Sequence, residues 1–480
     1  MLMEPMADPE APHRPTSRLL TEPRRPARIR ALRVAPWLAV GTVCVGAFMG
    51  QLDASIVATA LPVLRSNLHA SIAAVEWVVL IYVLVLAGSV AAVGKIADRI
   101  GRKLLYTYGF GIFVVGSAAC GLAPSLGVLV AARFVQALGA VMLQANSYAL
   151  IRDVLPPARL GTGLGVQGAA QAVGLSVGPV LGGALAALGG WRLIFLVNVP
   201  IGVVGLALGW LLLPRSTHRD PESRLDPTGT LLLAAIPSVV IAALSLAAQP
   251  GISVWVEVAL GVVGVALIAA AVRRHHRVPG SIVDGVLLRV PAFLAGLGAA
   301  LLSYIVLFGC LVAVPFFLET TRHAGTAAAG LELSALPLAL AIVAPAGGLI
   351  RDRLGPRIPA GAGMTIVAGG MALLAAAPSH PDLALAGLAV AGAGMGLFIP
   401  TNNASTMAAA PTTRAGAAGG LLNMSRGFGT ALGVSIPSLV LSAGHGLPAT
   451  SLLLLAMAVV AGAVAVAWTG SSSREVVPLG

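Results

Sequence analysis

The chain alternates long apolar runs with short polar loops. Runs of spanning length lie at roughly 36–62, 76–97, 104–123, 126–149, 161–188, 193–213, 229–247, 253–272, 291–318, 327–350, 358–377, 383–408, 416–440 and 448–468. Each is close to the ~20 apolar residues that cross a bilayer core as a helix. The pattern therefore predicts an all-α polytopic membrane protein with fourteen transmembrane helices. An even number places both termini on one side.

Charge fixes the orientation. With the N-terminus in the cytoplasm, 25 of the 30 Lys and Arg fall in cytoplasmic segments. Arg65, Arg192 and Arg322 lie outside, and Arg133 and Arg426 lie within spans. Adding or removing one span would invert every later loop and mix the two sets. Residues 1–34, rich in Pro, Arg and Glu with no apolar period, are expected to be a disordered cytoplasmic tail. Residues 469–480 form a second cytoplasmic tail. The chain is 57% hydrophobic and 10% charged, too little charge to cover a water-facing surface. Its net charge of +12 sits almost wholly in loops between apolar runs, which argues against nucleic acid as a partner. Only Lys95 and Lys103 are lysines. With the abundance of Ala, Gly, Val and Leu, this points to a GC-rich coding bias and a bacterial source.

One polar loop occurs twice. Gly94 to Lys103 reads GKIADRIGRK and Gly348 to Arg357 reads GLIRDRLGPR. Gly94, Asp98, Arg99 and Gly101 recur as Gly348, Asp352, Arg353 and Gly355, offset by 254 residues, and Arg102 has Arg357 close behind. Arg159, Gly161, Gly174 and Gly178 in the fifth run match Arg414, Gly416, Gly429 and Gly433 in the thirteenth, offset by 255. Spans 2 to 5 thus correspond to spans 10 to 13. The organisation expected is a six-helix bundle over 35–213, two inserted helices with cytoplasmic loops over 214–290, and a six-helix bundle over 291–468. Two like halves enclosing a central site that opens to either side is the arrangement of a transporter.

Six stretches carry a resemblance to a known family: LDASIVATALP (52–62), GKIADRIGRK (94–103), RFVQALGA (133–140), GLSVGPVLGG (174–183), WRLIFLVNVPIG (191–202) and RAGAAGGLLNMSRGFGTALG (414–433). The chain resembles the major facilitator superfamily, and within it the fourteen-spanner drug:proton antiporters. The resemblance covers nearly all of 36–468. It implies export of lipophilic drugs or antibiotics across the cell membrane by a multi-pass carrier that needs no cofactor and is driven by the proton gradient. A carrier of a small metabolite or nutrient with the same fold is the alternative.

Asp53 lies in span 1, about 13 Å along the helix from its outer end at Pro62. A bare carboxylate at that depth is costly, so it should face a cavity or a partner. Arg133, at similar depth in span 4, can meet it directly or through water. The resemblance implicates both in proton coupling, although Ala58 and Ala137 stand where the family usually has Asn and Gly. Arg stays charged, so Arg133 would tune the carboxylate and not carry the proton. A structural ion pair is the competing reading.

Gly174, Gly178 and Gly182 lie on one face of span 5, where small residues permit close helix approach, and Pro179 adds a bend. By resemblance this span faces span 10 across the seam between the halves. Gly94, Asp98, Arg99, Gly101 and Arg102, with Asp352 and Arg353, are expected to gate the carrier: Asp98 by capping a helix end or pairing with Arg, Gly101 by permitting a tight turn. Gln136, Gln144, Asn146 and Ser147 in span 4, Thr401, Asn402 and Asn403 in span 12, and Arg426 in span 13 are candidates for lining a substrate cavity. Interhelical hydrogen bonds are the competing role. Arg426 occupies the place of Gln171 in span 5.

Cys44, Cys120 and Cys310 sit in apolar runs, and no Cys/His cluster has metal-ligand spacing. No G-x-x-x-x-G-K-[ST] loop occurs, so energy from ATP through this chain alone is not expected. A membrane enzyme would need His, Asp, Glu or Ser clusters within the spans, and none is present. The partners expected are a lipophilic small molecule, protons and membrane lipid, acting on a monomer.

Overall fold

The computed structural model describes residue 22 and residues 24–70, 72–216, 254–277, 285–320, 326–380, 382–411 and 414–469, with isolated positions between 228 and 243. Among the described residues there are helices and no strand. In lipid every backbone group must be satisfied internally, and a helix does so within one segment. We number the main helices α1 Ala35–Leu68, α2 Ile72–Ile100, α3 Arg102–Gly121, α4 Leu126–Val154, α5 Leu160–Gly189, α6 Arg192–Leu196, α7 Asn198–Leu212, α8 Val254–Arg277, α9 Pro291–Thr320, α10 Thr326–Leu354, α11 Arg357–Ala376, α12 Leu383–Ala409, α13 Ala415–Ser442 and α14 Leu447–Thr469. Nine helices among the described residues are long and apolar enough to cross a membrane, or ten if the bent pair Trp77–Leu86 and Gly88–Ile100 is one span.

The boundaries differ from expectation in three places. Helix α1 continues to Leu68, past Pro62, so Asp53 lies about 22 Å from its outer end. The sixth run is two helices, α6 and α7, separated at Val197. Pro200 has no N–H to offer the carbonyl of Leu196, which removes one rung of the ladder at that point. The seventh run, 229–247, lies outside the described residues except for isolated helical positions. Helix α8 is exposed along most of its apolar length, with Trp255 75% and Val265 69% accessible.

Packing repeats the internal duplication. Helix α1 packs on α5 as α9 packs on α13, α3 on α4 as α11 on α12, and α2 on α4 as α10 on α12. Between the halves, α2 packs on α13 and α10 on α5. The turns after α2 and α10 also match: Gly101 has φ +116° and Gly355 φ +78°, conformations that a side chain disfavours. One apolar core, including Tyr106, Phe113, Met407 and Leu422, spans both halves. A second core, around Met371 and Phe398, lies mainly in the second half and takes in Ala172 of α5, and a third lies within the first half, around Ile56 and Phe195.

The glycines of α5 pack against a different helix from the one expected. A Cβ at Gly174 would meet the Phe48 carbonyl and Leu52 nitrogen of α1, and one at Gly178 would meet the Ser55 side chain. Ser55 Oγ donates to the Gly174 carbonyl at 3.2 Å. The counterparts do the same: Gly429 lies against Leu301 and Tyr304, and Gly433 against Ile305, all of α9. This stripe therefore fixes each half internally. Helix α5 does face α10, but through Gly161, Gly165 and Gly168 against Ala344, Pro345 and Gly348. Gly182 is buried; the side chain of Pro179 lies outside the described residues.

Lipid tails are as apolar as Leu, so close packing rather than water exclusion holds these helices together. Gly178→Val should force α1 from α5 and cost about 1–3 kcal/mol, the usual range for overpacking. A thermal melt of detergent-purified protein should show it, while Gly183→Ala, whose Cβ would meet nothing within 4 Å, leaves the midpoint unchanged.

Candidate functional site

Asp53 is fully buried and meets three side chains from two other helices. Arg133 Nη1 of α4 donates to Asp53 Oδ2 at 2.7 Å, forming an ion pair with neither partner accessible. Gln136 Nε2 donates to Oδ1 at 2.9 Å, and Asn198 Nδ2, the first residue of α7, donates to the same oxygen at 3.0 Å. Arg133 is held in turn: Nη1 also donates to Gln136 Oε1 at 2.7 Å, and Nε to the Val78 carbonyl of α2 at 3.0 Å. Its guanidinium lies 4.3 Å from the centre of the Tyr82 ring. Gln136 Nε2 further donates to Ser117 Oγ at 2.9 Å, and Ser117 donates to the Phe195 carbonyl at 3.0 Å. Burial of either charge alone would be prohibitive, and the pair with its hydrogen bonds makes both tolerable. The acid thus meets a partner and not an open cavity. Gln136 belongs to this network, so the expectation that it lines a substrate cavity is corrected.

A second polar cluster lies between the halves. Arg426 Nη2 of α13 donates to Gln171 Oε1 of α5 at 3.0 Å, and Nη1 to Asn423 Oδ1 at 3.2 Å. Its guanidinium is 4.5 Å from the Tyr304 ring centre and 5.5 Å from that of Tyr148. Asn423 Nδ2 donates to the Gln144 carbonyl at 2.8 Å, and Asn403 Nδ2 to the Tyr148 hydroxyl at 3.4 Å. Two of these contacts, Arg426–Gln171 and Asn403–Tyr148, join residues 255 apart, the offset of the repeat itself. Equivalent positions of two like halves touch only on the axis that relates them. The cluster therefore marks the centre of the molecule.

The remaining candidates sort by where their side chains go. Asn146 donates to Met142, Ser147 to Gln144 and Thr401 to Leu397, each to a carbonyl of its own helix, so these three are buried helix-interior residues and do not join the central cluster. Asn402 donates to the Gly296 carbonyl and ties α12 to α9. Of the proposed lining, Asn403 and Arg426 reach the axis with their side chains, and Gln144 with its main-chain carbonyl.

The duplicated loop forms a latch. Asp98, at the end of α2, accepts from the Gly416 and Ala417 amides of α13 at 3.0 and 2.9 Å. Asp352, at the end of α10, accepts from the Gly161 and Thr162 amides of α5 at 2.8 and 2.7 Å. Each carboxylate caps the first turn of a helix in the opposite half, where unpaired amides and the helix dipole favour an anion. A Cβ on Gly416 or Gly161 would occupy the carboxylate's place. Arg102 pairs with Asp98 at 2.7 Å and with Asp153 at 2.7 Å. Arg99 and Arg353 are exposed and outside the latch, contrary to the gating role expected of them. Asp153 and Arg351, which holds Asp352 at 3.0 Å, take part instead. Sequence reasoning missed Asn198 and Ser117 as well; Asn198 stands in the quoted WRLIFLVNVPIG stretch, which was the available signal.

A family model of the Major Facilitator Superfamily matches residues 43–434 and, overlapping, 292–478. The chain belongs to that superfamily, and its members are transporters, not enzymes. Among curated proteins it is similar to the riboflavin transporter RibZ of Clostridioides difficile, 30% identical over 71% of this chain and 74% of that one. It is similar also to the multidrug resistance protein Stp of Mycobacterium tuberculosis, 31% identical over 83% of this chain and 74% of that one. Among solved structures it shares the fold of the proton:xylose symporter XylE, with a TM-score of 0.66 at 14% identity over 89% of this chain and 94% of that one. The protein is thus a multi-pass membrane transporter.

The latch predicts a distance change. With spin labels on Cys at the exposed positions 99 and 353, the pair Asp98→Ala and Asp352→Ala should move the double electron–electron resonance distribution to longer distances. An unchanged distribution would show that the two carboxylates do not hold the halves together.

Proposed function

We propose that the chain is a proton-coupled exporter of lipophilic compounds in the cell membrane, with fourteen spans and both termini in the cytoplasm. Two six-helix bundles flank two inserted helices, and the carrier works as a monomer by alternating access. The observation that carries this reading is Asp53: a carboxylate buried within a span, ringed by Arg133, Gln136 and Asn198. Intramembrane acids of this kind serve proton paths. The similarity to the multidrug resistance protein Stp supports export of a drug-like substrate.

On this reading the described conformation is closed at the cytoplasmic side by the Asp98 and Asp352 latches. Protonation of Asp53 from the outside removes its attraction for Arg133. Arg133 keeps the Gln136 oxygen and the Val78 carbonyl as acceptors, which offset part of the cost of losing its counter-ion; the rest weakens the hold between α1 and α4. The released constraint between α1 and α4 favours the switch of the halves, and the proton leaves on the cytoplasmic side as new substrate binds.

The similarity to the riboflavin transporter RibZ favours a second reading, a carrier of a small metabolite with the same machinery. Proteoliposomes separate the two. Addition of lipophilic compounds should release protons from wild-type protein, and Asp53→Asn should abolish proton-driven efflux while the protein still folds. Export against a gradient by that variant would remove Asp53 as the coupling residue. Gradient-independent uptake of a metabolite, with no proton release by any compound, would select the metabolite carrier.

A further inference from the structure

The chain has two arginines within its spans, and among the described residues only one of them has a counter-ion. Arg133 is neutralised by Asp53. Arg426 is 5% accessible, and among the described residues no carboxylate pairs with it. Its partners are neutral amide oxygens and aromatic faces, and its Nε has no hydrogen-bond partner. A guanidinium stays charged at neutral pH, and a buried charge without an opposite charge is costly. Such a charge persists where a ligand supplies the anion.

The surroundings fit a ligand. The cluster lies on the axis between the halves, where a transported molecule must pass on the exporter reading, on which this inference rests. Gln171 and Gln144 are only half buried, so the cluster borders open space. Gln167, one turn from Gln171 on the same face of α5, is 1% accessible, and neither atom of its amide has a partner. Buried polar groups are nearly always paired. Two of them left wanting on facing helices, a cation on α13 and an amide on α5, together describe a site for an acidic group. The rings of Tyr148 and Tyr304 supply flat apolar surface beside it.

We infer that Arg426 and Gln167 form the recognition site for an anionic group, a carboxylate or an ionised phenol, on an otherwise apolar aromatic substrate. Arg426 supplies the opposite charge and its free Nε–H donates to the anion. Gln167 Nε2 donates a further hydrogen bond, and the substrate's ring system rests on the tyrosines.

The test compares three probes of one scaffold: 1-pyrenebutyric acid, its methyl ester and 1-pyrenebutylamine. Binding to the full chain in lipid nanodiscs is read by fluorescence, with empty nanodiscs subtracted. Wild-type protein should bind the acid at least roughly tenfold more tightly than the ester or the amine, the size of one charge-assisted hydrogen bond. Arg426→Gln should erase the preference, and Arg426→Lys should retain part of it. Gln171→Glu serves as the variant that keeps the arginine: it places an internal carboxylate beside Arg426 in a side chain of nearly the same shape, and should also erase the preference. Equal binding of acid and ester by wild type, or a preference that survives both Arg426→Gln and Gln171→Glu, would overturn the inference. The exporter reading is judged separately, by proton release in proteoliposomes. Acid-selective binding with no proton-driven export would sink that reading and leave the anion site standing. Export that is indifferent to probe charge and to Arg426→Gln would do the reverse.

Discussion

Charge buried in an apolar bundle has to be balanced from within, and the arrangement of this molecule follows from where that balance is struck. Asp53 and Arg133 neutralise one another at 2.7 Å with neither exposed. Removing one partner of such a pair generally costs about 3–5 kcal/mol because the other is stranded. The pair therefore ties α1 to α4. Asn198 at the break between α6 and α7 is drawn to the same carboxylate, which gives a physical use to the interruption of that span. Arg426 is balanced only by dipoles and rings, and that difference separates a closed site from one that is ready to receive a group.

Helix α4 links the two. It carries Arg133 and Gln136 at one level and Gln144 and Tyr148 at the other, about 12–22 Å apart along its axis by residue spacing. A change in the Asp53–Arg133 attraction acts on the same rigid element that frames the central cluster. Coupling needs an element that both sites bias, and α4 is the element they share. At the end of the molecule that carries the duplicated loop, the reciprocal caps by Asp98 and Asp352 do the complementary work. Each spends its charge on amides of the other half, so the latch is strong only while the halves are in register.

The helices, the duplication and the Asp53–Arg133 pair were legible in the sequence, for reasons that also mark the limit. Spanning runs are set by bilayer thickness, and depth along a helix follows from residue number. Which way a side chain points, and at which neighbour, does not. Gly174 and Gly178 were visible as a close-packing face, but their spacing carries no information on whether α1 or α10 lies against it. Asp98 and Arg99 are adjacent in the repeated motif, yet one turns inward to cap α13 and the other outward to solvent. Asn146, Ser147 and Thr401 looked like cavity residues because polar side chains in a span are rare. They bond to carbonyls of their own helices, an option that composition does not exclude. The equivalence of Arg426 and Gln171 was readable from the offset, but their contact was not, since equivalence implies proximity only on the axis.

The duplication also shows how the halves have diverged. The Phe48 carbonyl beside Gly174 corresponds to the Leu301 carbonyl beside Gly429, which sets Asp53 opposite Val306 in the second half. The offset that joins Tyr148 to Asn403 likewise sets Arg133 opposite Leu388. Val306 and Leu388 are both fully buried and apolar. Where the first half holds an ion pair, the second holds ordinary packing; where the second half holds Arg426, the first holds the neutral Gln171. The buried acid thus lies in one half and the arginine that no described carboxylate pairs with lies in the other, and the helices that carry the two arginines, α4 and α13, pack on one another.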